Sequence, residues 1–61
     1  MVALDLTPHE AEVLLETLRS YLAELRMEIS HTDREDFRSG LKERRQALEH
    51  IVEMIERATA R

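Results

Sequence analysis

Cysteine is missing from this 61-residue chain, and glycine and proline occur once each. Without cysteine, neither a disulfide nor a thiolate zinc site reinforces the fold. A domain this short buries only roughly 60% of the surface that its unfolded chain exposes. Oligomerisation is therefore the reinforcement that we expect first. The missing cysteine also fits a cytoplasmic chain.

Long hydrophobic runs are missing as well. No stretch approaches the roughly 20 apolar residues that a membrane helix needs, and the N-terminus lacks the features of a signal peptide. We therefore expect a soluble chain that is not exported and has no membrane partner. The net charge of −4 disfavours nucleic acid as a partner, because overall electrostatics then oppose binding to phosphates.

The strongest local signal is a helix start at Thr7-Pro8-His9-Glu10. Thr7 can cap the helix, Pro8 suits its first position, and Glu10 can complete a capping box. No glycine or proline follows until past residue 30, and apolar residues recur every three or four positions. This predicts an amphipathic helix over about residues 8–30, with the stripe Ala11, Leu14, Leu15, Leu18, Tyr21, Leu22, Leu25 and Ile29.

A second helix start lies at Thr32-Asp33-Arg34-Glu35, where Thr32 or Asp33 can cap. The acidic residues there favour the positive end of a helix dipole. The sequence thus predicts a turn over about residues 30–33 and a longer second helix over about residues 33–59. The stripe of this helix contains Phe37, Leu41, Leu48, Ile51, Val52, Ile55 and Thr59.

Two features of the sequence allow a second interpretation of the two-helix arrangement. Gly40 costs the second helix about 1 kcal/mol relative to alanine, which we interpret as a close approach by a neighbouring backbone. A separate turn before Gly40 is the other interpretation. The segment Ser30-His31-Thr32-Asp33 contains no strict breaker, so one continuous helix of about 50 residues in an extended coiled coil competes with the hairpin. The capping signals favour the hairpin.

Each stripe spans about 120°, which is wider than the contact with one neighbouring helix. A second copy related by a two-fold axis covers the remainder. The sequence therefore predicts an all-α fold in which residues 1–61 form one antiparallel two-helix hairpin that dimerises into a four-helix bundle. The predicted dimer and core seam contains Leu14, Leu15, Leu18, Tyr21, Leu22, Leu25, Ile29, Phe37, Leu41, Leu48, Ile51, Val52 and Ile55.

Glu28-Ile29-Ser30-His31 has the Glu-x-x-His spacing of a di-iron half-site in helical bundles. At 100° per residue, however, Glu28 lies about 80° and His31 about 140° away from Leu18 at the centre of the seam. We therefore interpret the pair as a surface feature and predict no metal site and no cofactor. Two more pairs of this composition also lie on the outer side: His9 with Glu12 and His50 with Glu53.

Catalysis has little support in the sequence. Ser20, Ser30 and Ser39 lack a nucleophile elbow or a glycine-rich loop, and two helices leave little room for a substrate pocket. We predict that the chain is not an enzyme and has no catalytic residues.

Arginines interrupt the second stripe. By the 100° rule, Arg44 and Arg45 flank Leu48 by about 40° and 60° on opposite sides. Antiparallel pairing around a turn near residue 32 places them close to Tyr21. One interpretation is a polar layer that fixes register and oligomeric state, formed by Tyr21, Glu24, Glu28, Arg44 and Arg45. The other is that the aliphatic stems cover the core while the guanidinium groups reach solvent.

A basic ridge on the second helix is formed by Arg34, Arg38, Lys42 and Arg45, and Arg19 and Arg26 lie on the corresponding side of the first helix. One hypothesis is that this ridge binds RNA. The acidic balance of the chain favours the alternative, in which the ridge matches acidic residues of the partner chain.

In length and plan the chain resembles the plasmid repressor-of-primer family, whose short helical hairpins dimerise and bind paired RNA loops. Its RNA-contacting residues do not align with positions here, so this resemblance implies only the hairpin dimer. The run Leu25-Arg26-Met27-Glu28-Ile29-Ser30-His31-Thr32-Asp33-Arg34-Glu35-Asp36-Phe37-Arg38 is similar to short uncharacterised prokaryotic helical-hairpin proteins. That similarity implies a hairpin and no particular activity.

These patterns favour a non-enzymatic homo-oligomeric bundle that acts as a self-association or protein-interaction (adaptor) module. Its expected partner is itself, as a homodimer, with another protein as a further partner. The alternative is a small RNA-binding regulator that uses the basic ridge, and the third hypothesis is a metal-binding four-helix bundle.

Overall fold

A computed structural model describes residues 1–59, and these residues form an all-α fold of two helices. Helix α1 spans Pro8–His31 and helix α2 spans Glu35–Thr59. The helices pack against each other in antiparallel directions, so the predicted hairpin is confirmed and one continuous helix is excluded. Within residues 1–59, neither helix has an apolar stretch long enough to cross a bilayer. The last two residues of the predicted unit lie outside the described residues.

Helix α1 begins where the capping motif predicts. The Thr7 hydroxyl accepts a hydrogen bond from the Glu10 N–H at 3.1 Å, and the Glu10 carboxylate accepts one from the Thr7 N–H at 2.9 Å. Pro8 lies in the first turn, where backbone N–H groups have no acceptor within the helix, so its missing N–H costs no hydrogen bond. The capping box is confirmed, and it defines the first helical residue.

Thr32 ends α1 instead of starting α2. Its backbone is extended (φ −95°, ψ 122°), its N–H donates to the Ile29 carbonyl at 3.4 Å, and its hydroxyl donates to the Glu28 carbonyl at 2.6 Å. The prediction that Thr32 or Asp33 caps the second helix is wrong, because the Thr32 hydroxyl satisfies a carbonyl at the end of α1 and α2 begins only at Glu35. The connection is residues 32–34.

Gly40 lies inside an uninterrupted α2. A Cβ atom built on Gly40 meets no atom within 4 Å apart from its own helix backbone and chain neighbours. The interpretation of Gly40 as a close approach between backbones is therefore wrong for the two helices of one hairpin, and a separate turn before it is also excluded. The Cβ position of Gly40 points into open space, because α1 packs on another side of α2.

The core lies in a narrow seam between the helices. Leu15 and Leu22 of α1 pack with Val52 of α2, and Leu18, Leu48 and Ile55 pack against this cluster while staying partly exposed. Leu25, at 1% exposure, is the most deeply buried side chain in the part of the chain that is described. The buried apolar residues are Ala11, Leu15, Leu22, Leu25, Ile29 and Val52.

The predicted seam divides into covered and uncovered parts. Leu14, Leu18, Leu41, Leu48 and Ile55 are half-buried. Tyr21, Phe37 and Ile51 remain 37%, 61% and 38% exposed. One hairpin therefore covers the centre of each stripe and leaves one edge open to solvent.

Candidate functional site

The hairpin has two long flanks, one on each side of the seam. On the first, Arg19 pairs with Glu56, and Arg26 Nη2 lies 3.1 Å from Glu49 Oε2. We call these four residues the polar flank. Both ion pairs join α1 to α2, but their side chains are roughly half exposed, so each contributes about 0–1 kcal/mol. The two ion pairs are informative mainly about geometry, because they show which side of α1 and which side of α2 face the same direction.

The opposite side is identified by one contact between the helices. Arg44 Nη1 of α2 donates a hydrogen bond to Tyr21 Oη of α1 at 3.0 Å. Residues seven positions apart in a helix return to nearly the same face, so Leu14 shares the side of Tyr21. By the same geometry, Phe37 and Ile51 share the side of Arg44. We call Leu14, Tyr21, Phe37 and Ile51 the apolar flank.

Two of the five residues in the predicted polar layer come together in the hairpin: Tyr21 and Arg44. Glu24 and Glu28 are exposed, and within residues 1–59 no carboxylate forms an ion pair with Arg44. Arg44 is itself an exposed residue. A charged group thus lies in the middle of the apolar flank with one neutral hydrogen-bond partner.

Arg45 lies on the other side of α2. Its Nε is 3.7 Å from Glu49 Oε1, and its side chain is 32% exposed. The Nε atoms of Arg45 and Arg38 are buried and have no hydrogen-bond partner among the described residues. The two side chains are seven residues apart, so their aliphatic stems cover the same edge of the seam. Arg44 and Arg45 consequently serve different flanks.

The basic ridge is interleaved with carboxylates of its own chain. Arg34 lies 3.6 Å from Asp36, and Arg45 shares Glu49 with Arg26. Arg38 is half-buried, whereas Lys42 is exposed. These intrachain pairs reduce the positive charge that the ridge presents to a phosphate backbone.

The three histidine and glutamate pairs lie on exposed helix surfaces. All six side chains are solvent-accessible: His9, Glu12, Glu28, His31, His50 and Glu53. In the part of the chain that the structure describes, no three His, Asp or Glu side chains come close enough together to hold a metal ion. Their outward placement agrees with the helical-wheel geometry.

A groove of about 610 Å³ lies at the open end of the hairpin, between the N-terminal segment and the ends of both helices. The helical patterns in the sequence predict no role for this segment. The apolar residues Val2, Leu4 and Leu6, just before the capping box, were the available signal. The apolar side chains that line the groove are Val2, Leu4, Leu6, Ala11, Leu14, Ile51, Met54, Ile55 and Ala58.

Comparisons with known proteins assign no family to this chain. The sequence matches no protein-family model, and comparison with curated proteins and with solved structures gives no significant match. The resemblance to hairpin proteins stays a prediction, and a function has to be argued from the geometry of the hairpin itself.

Proposed function

We propose that this chain is a non-enzymatic self-association module, a helical hairpin that pairs with a second copy to form a four-helix bundle. The bundle then serves as an adaptor for other proteins. The observation that carries the proposal is the apolar flank, where Tyr21, Phe37 and Ile51 stay between 37% and 61% exposed on a folded hairpin. Large apolar side chains that stay exposed on one side of a folded hairpin are typical of an interaction site.

The thin core supports the same proposal. Six apolar side chains are buried within residues 1–59, and among these only Leu25 is fully enclosed. A single core in a chain of this size supplies no more than about 3–5 kcal/mol. Covering the apolar flank adds roughly 25 cal/mol for each Å² of apolar surface removed from water. A second copy is the simplest cover, because a two-fold axis places the same surface on both sides.

The two other hypotheses have weaker support. RNA binding needs one uncovered basic surface, but Arg34 and Arg45 each lie close to a carboxylate of their own chain. Metal binding needs inward-facing ligands, whereas the Glu28 and His31 side chains are exposed. Neither hypothesis accounts for the exposed apolar flank.

Sedimentation equilibrium tests the proposed self-association. At micromolar concentrations, the purified chain should have twice the single-chain mass of 7.2 kDa. Dilution should shift the mass towards that of one chain as the dimer dissociates. A mass of one chain over the whole concentration range would contradict the proposal.

A further inference from the structure

The apolar flank and two charged residues on the same side of the helices, Glu28 and Arg44, form three layers along the hairpin. Leu14 and Ile51 form the open-end layer, where both line the same groove. Tyr21 and Arg44 form the middle layer, joined by their hydrogen bond. Seven residues further towards the turn, Glu28 and Phe37 form the turn layer. Successive layers are about 10 Å apart, since each helical residue rises 1.5 Å.

A face-to-face dimer has two symmetric arrangements. If the two-fold axis runs along the hairpin, each layer meets the same layer of the partner and both turns lie at one end. If the axis runs across the hairpin, the open-end layer meets the partner's turn layer. The turns then lie at opposite ends, and α2 packs on the partner's α2.

Charge disfavours the crosswise arrangement. It places Arg44 directly opposite the partner's Arg44, and like charges that face each other across an interface repel and weaken binding. Glu28 does not distinguish the two arrangements, because it lies opposite the partner's Leu14 in one and opposite the partner's Phe37 in the other.

The lengthwise arrangement avoids the direct opposition of the two Arg44 side chains. Leu14 then packs against the partner's Ile51, which makes the open-end layer apolar throughout. Arg44 faces the partner's Tyr21 as well as its own, and Glu28 lies opposite the partner's Phe37 in the turn layer. The apolar open-end layer is therefore matched by the same layer of the second copy, and the two Arg44 side chains do not face each other.

The N-terminal segment gives independent support. Leu4 and Leu6 are 72% and 41% exposed although they lie beside an apolar groove. When the open ends meet, the two grooves and the two N-terminal segments adjoin, so each copy covers apolar side chains of the other. A crosswise dimer places the partner's charged turn end there instead.

We infer that the two hairpins pair lengthwise, with both open ends together and both turns at the same end of the bundle. This inference rests on the proposed self-association. It assigns Leu14, Tyr21, Arg44 and Ile51 to contacts with the second copy.

Spin-label distance measurements distinguish the two arrangements. The chain has no cysteine, so Asp33→Cys in the turn gives a single labelling site on an exposed residue outside both helices. In a lengthwise dimer, the two labels should lie less than about 30 Å apart, since neighbouring helix axes are about 8–10 Å apart and the label arms add the rest. In a crosswise dimer they should lie more than about 35 Å apart, roughly the length of a 24-residue helix.

His9→Cys provides the matched label, because His9 is exposed at the opposite end of α1. The lengthwise arrangement predicts short distances for both labels, and the crosswise arrangement predicts long distances for both. Sedimentation of each labelled variant is measured first. A dimer with two long distances overturns the inference but leaves self-association intact. If the labelled variants sediment as monomers and give no distance between labels, the proposed self-association is overturned as well.

Discussion

Replacing Ile51 by glutamate should convert the dimer into monomers. Ile51 is 38% exposed on a single hairpin, so a glutamate there reaches water in the monomer and loses water when the apolar flank is covered. A charge left without a partner in an interface costs about 3 kcal/mol or more. This corresponds to more than about a hundredfold increase in the dimer dissociation constant, measured by sedimentation equilibrium.

Met27→Glu is the matched control. Met27 is 62% exposed and lies on the face of α1 opposite the seam, so the same added charge should leave the dissociation constant within about twofold. If both substitutions raised the dissociation constant equally, the cause would be the added negative charge and not its position on the apolar flank. An unchanged dimer in the Ile51 variant would place the interface elsewhere.

Replacing Leu25 by alanine should unfold most of the hairpin. Leu25 is 1% exposed, and removing a buried leucine side chain costs about 2–5 kcal/mol because the cavity closes only partly. A core of this size supplies only about 3–5 kcal/mol, so the loss is comparable to the whole stability. Urea unfolding followed by far-UV circular dichroism measures the change.

The control for this cavity is Met27→Ala on the same helix. Removing this exposed side chain should change the free energy of unfolding by less than about 0.5 kcal/mol. A cost below about 1 kcal/mol at Leu25 would mean that the side chain is not enclosed in solution.

Local signals predicted α1 well because its start depends on neighbouring residues. The capping box needs only Thr7 and Glu10, and the stripe needs only a helical period. The start of α2 was placed about two residues too early. A threonine hydroxyl can accept from the next helix or donate to the previous one, and Thr32 donates to the Glu28 carbonyl. Sequence spacing does not distinguish these choices.

Pairing between the helices was only partly predictable. Helix angles and the position of the turn were enough to place Arg44 near Tyr21. The partner of Arg45 depends on side-chain rotamers, and the structure gives it Glu49, four residues further along its own helix. The interpretation of Gly40 failed because a glycine in a pattern does not reveal which side of its helix is covered. The apolar N-terminal segment was missed because it precedes any periodic element.

Thermal unfolding over a series of protein concentrations tests the central claim that the hairpin depends on its partner for stability. If folding and pairing are coupled, the Tm should rise by about 10 °C for a hundredfold increase in concentration, since mass action adds about 2.7 kcal/mol. A Tm that does not change across the series would contradict the account, because the hairpin would then be stable alone.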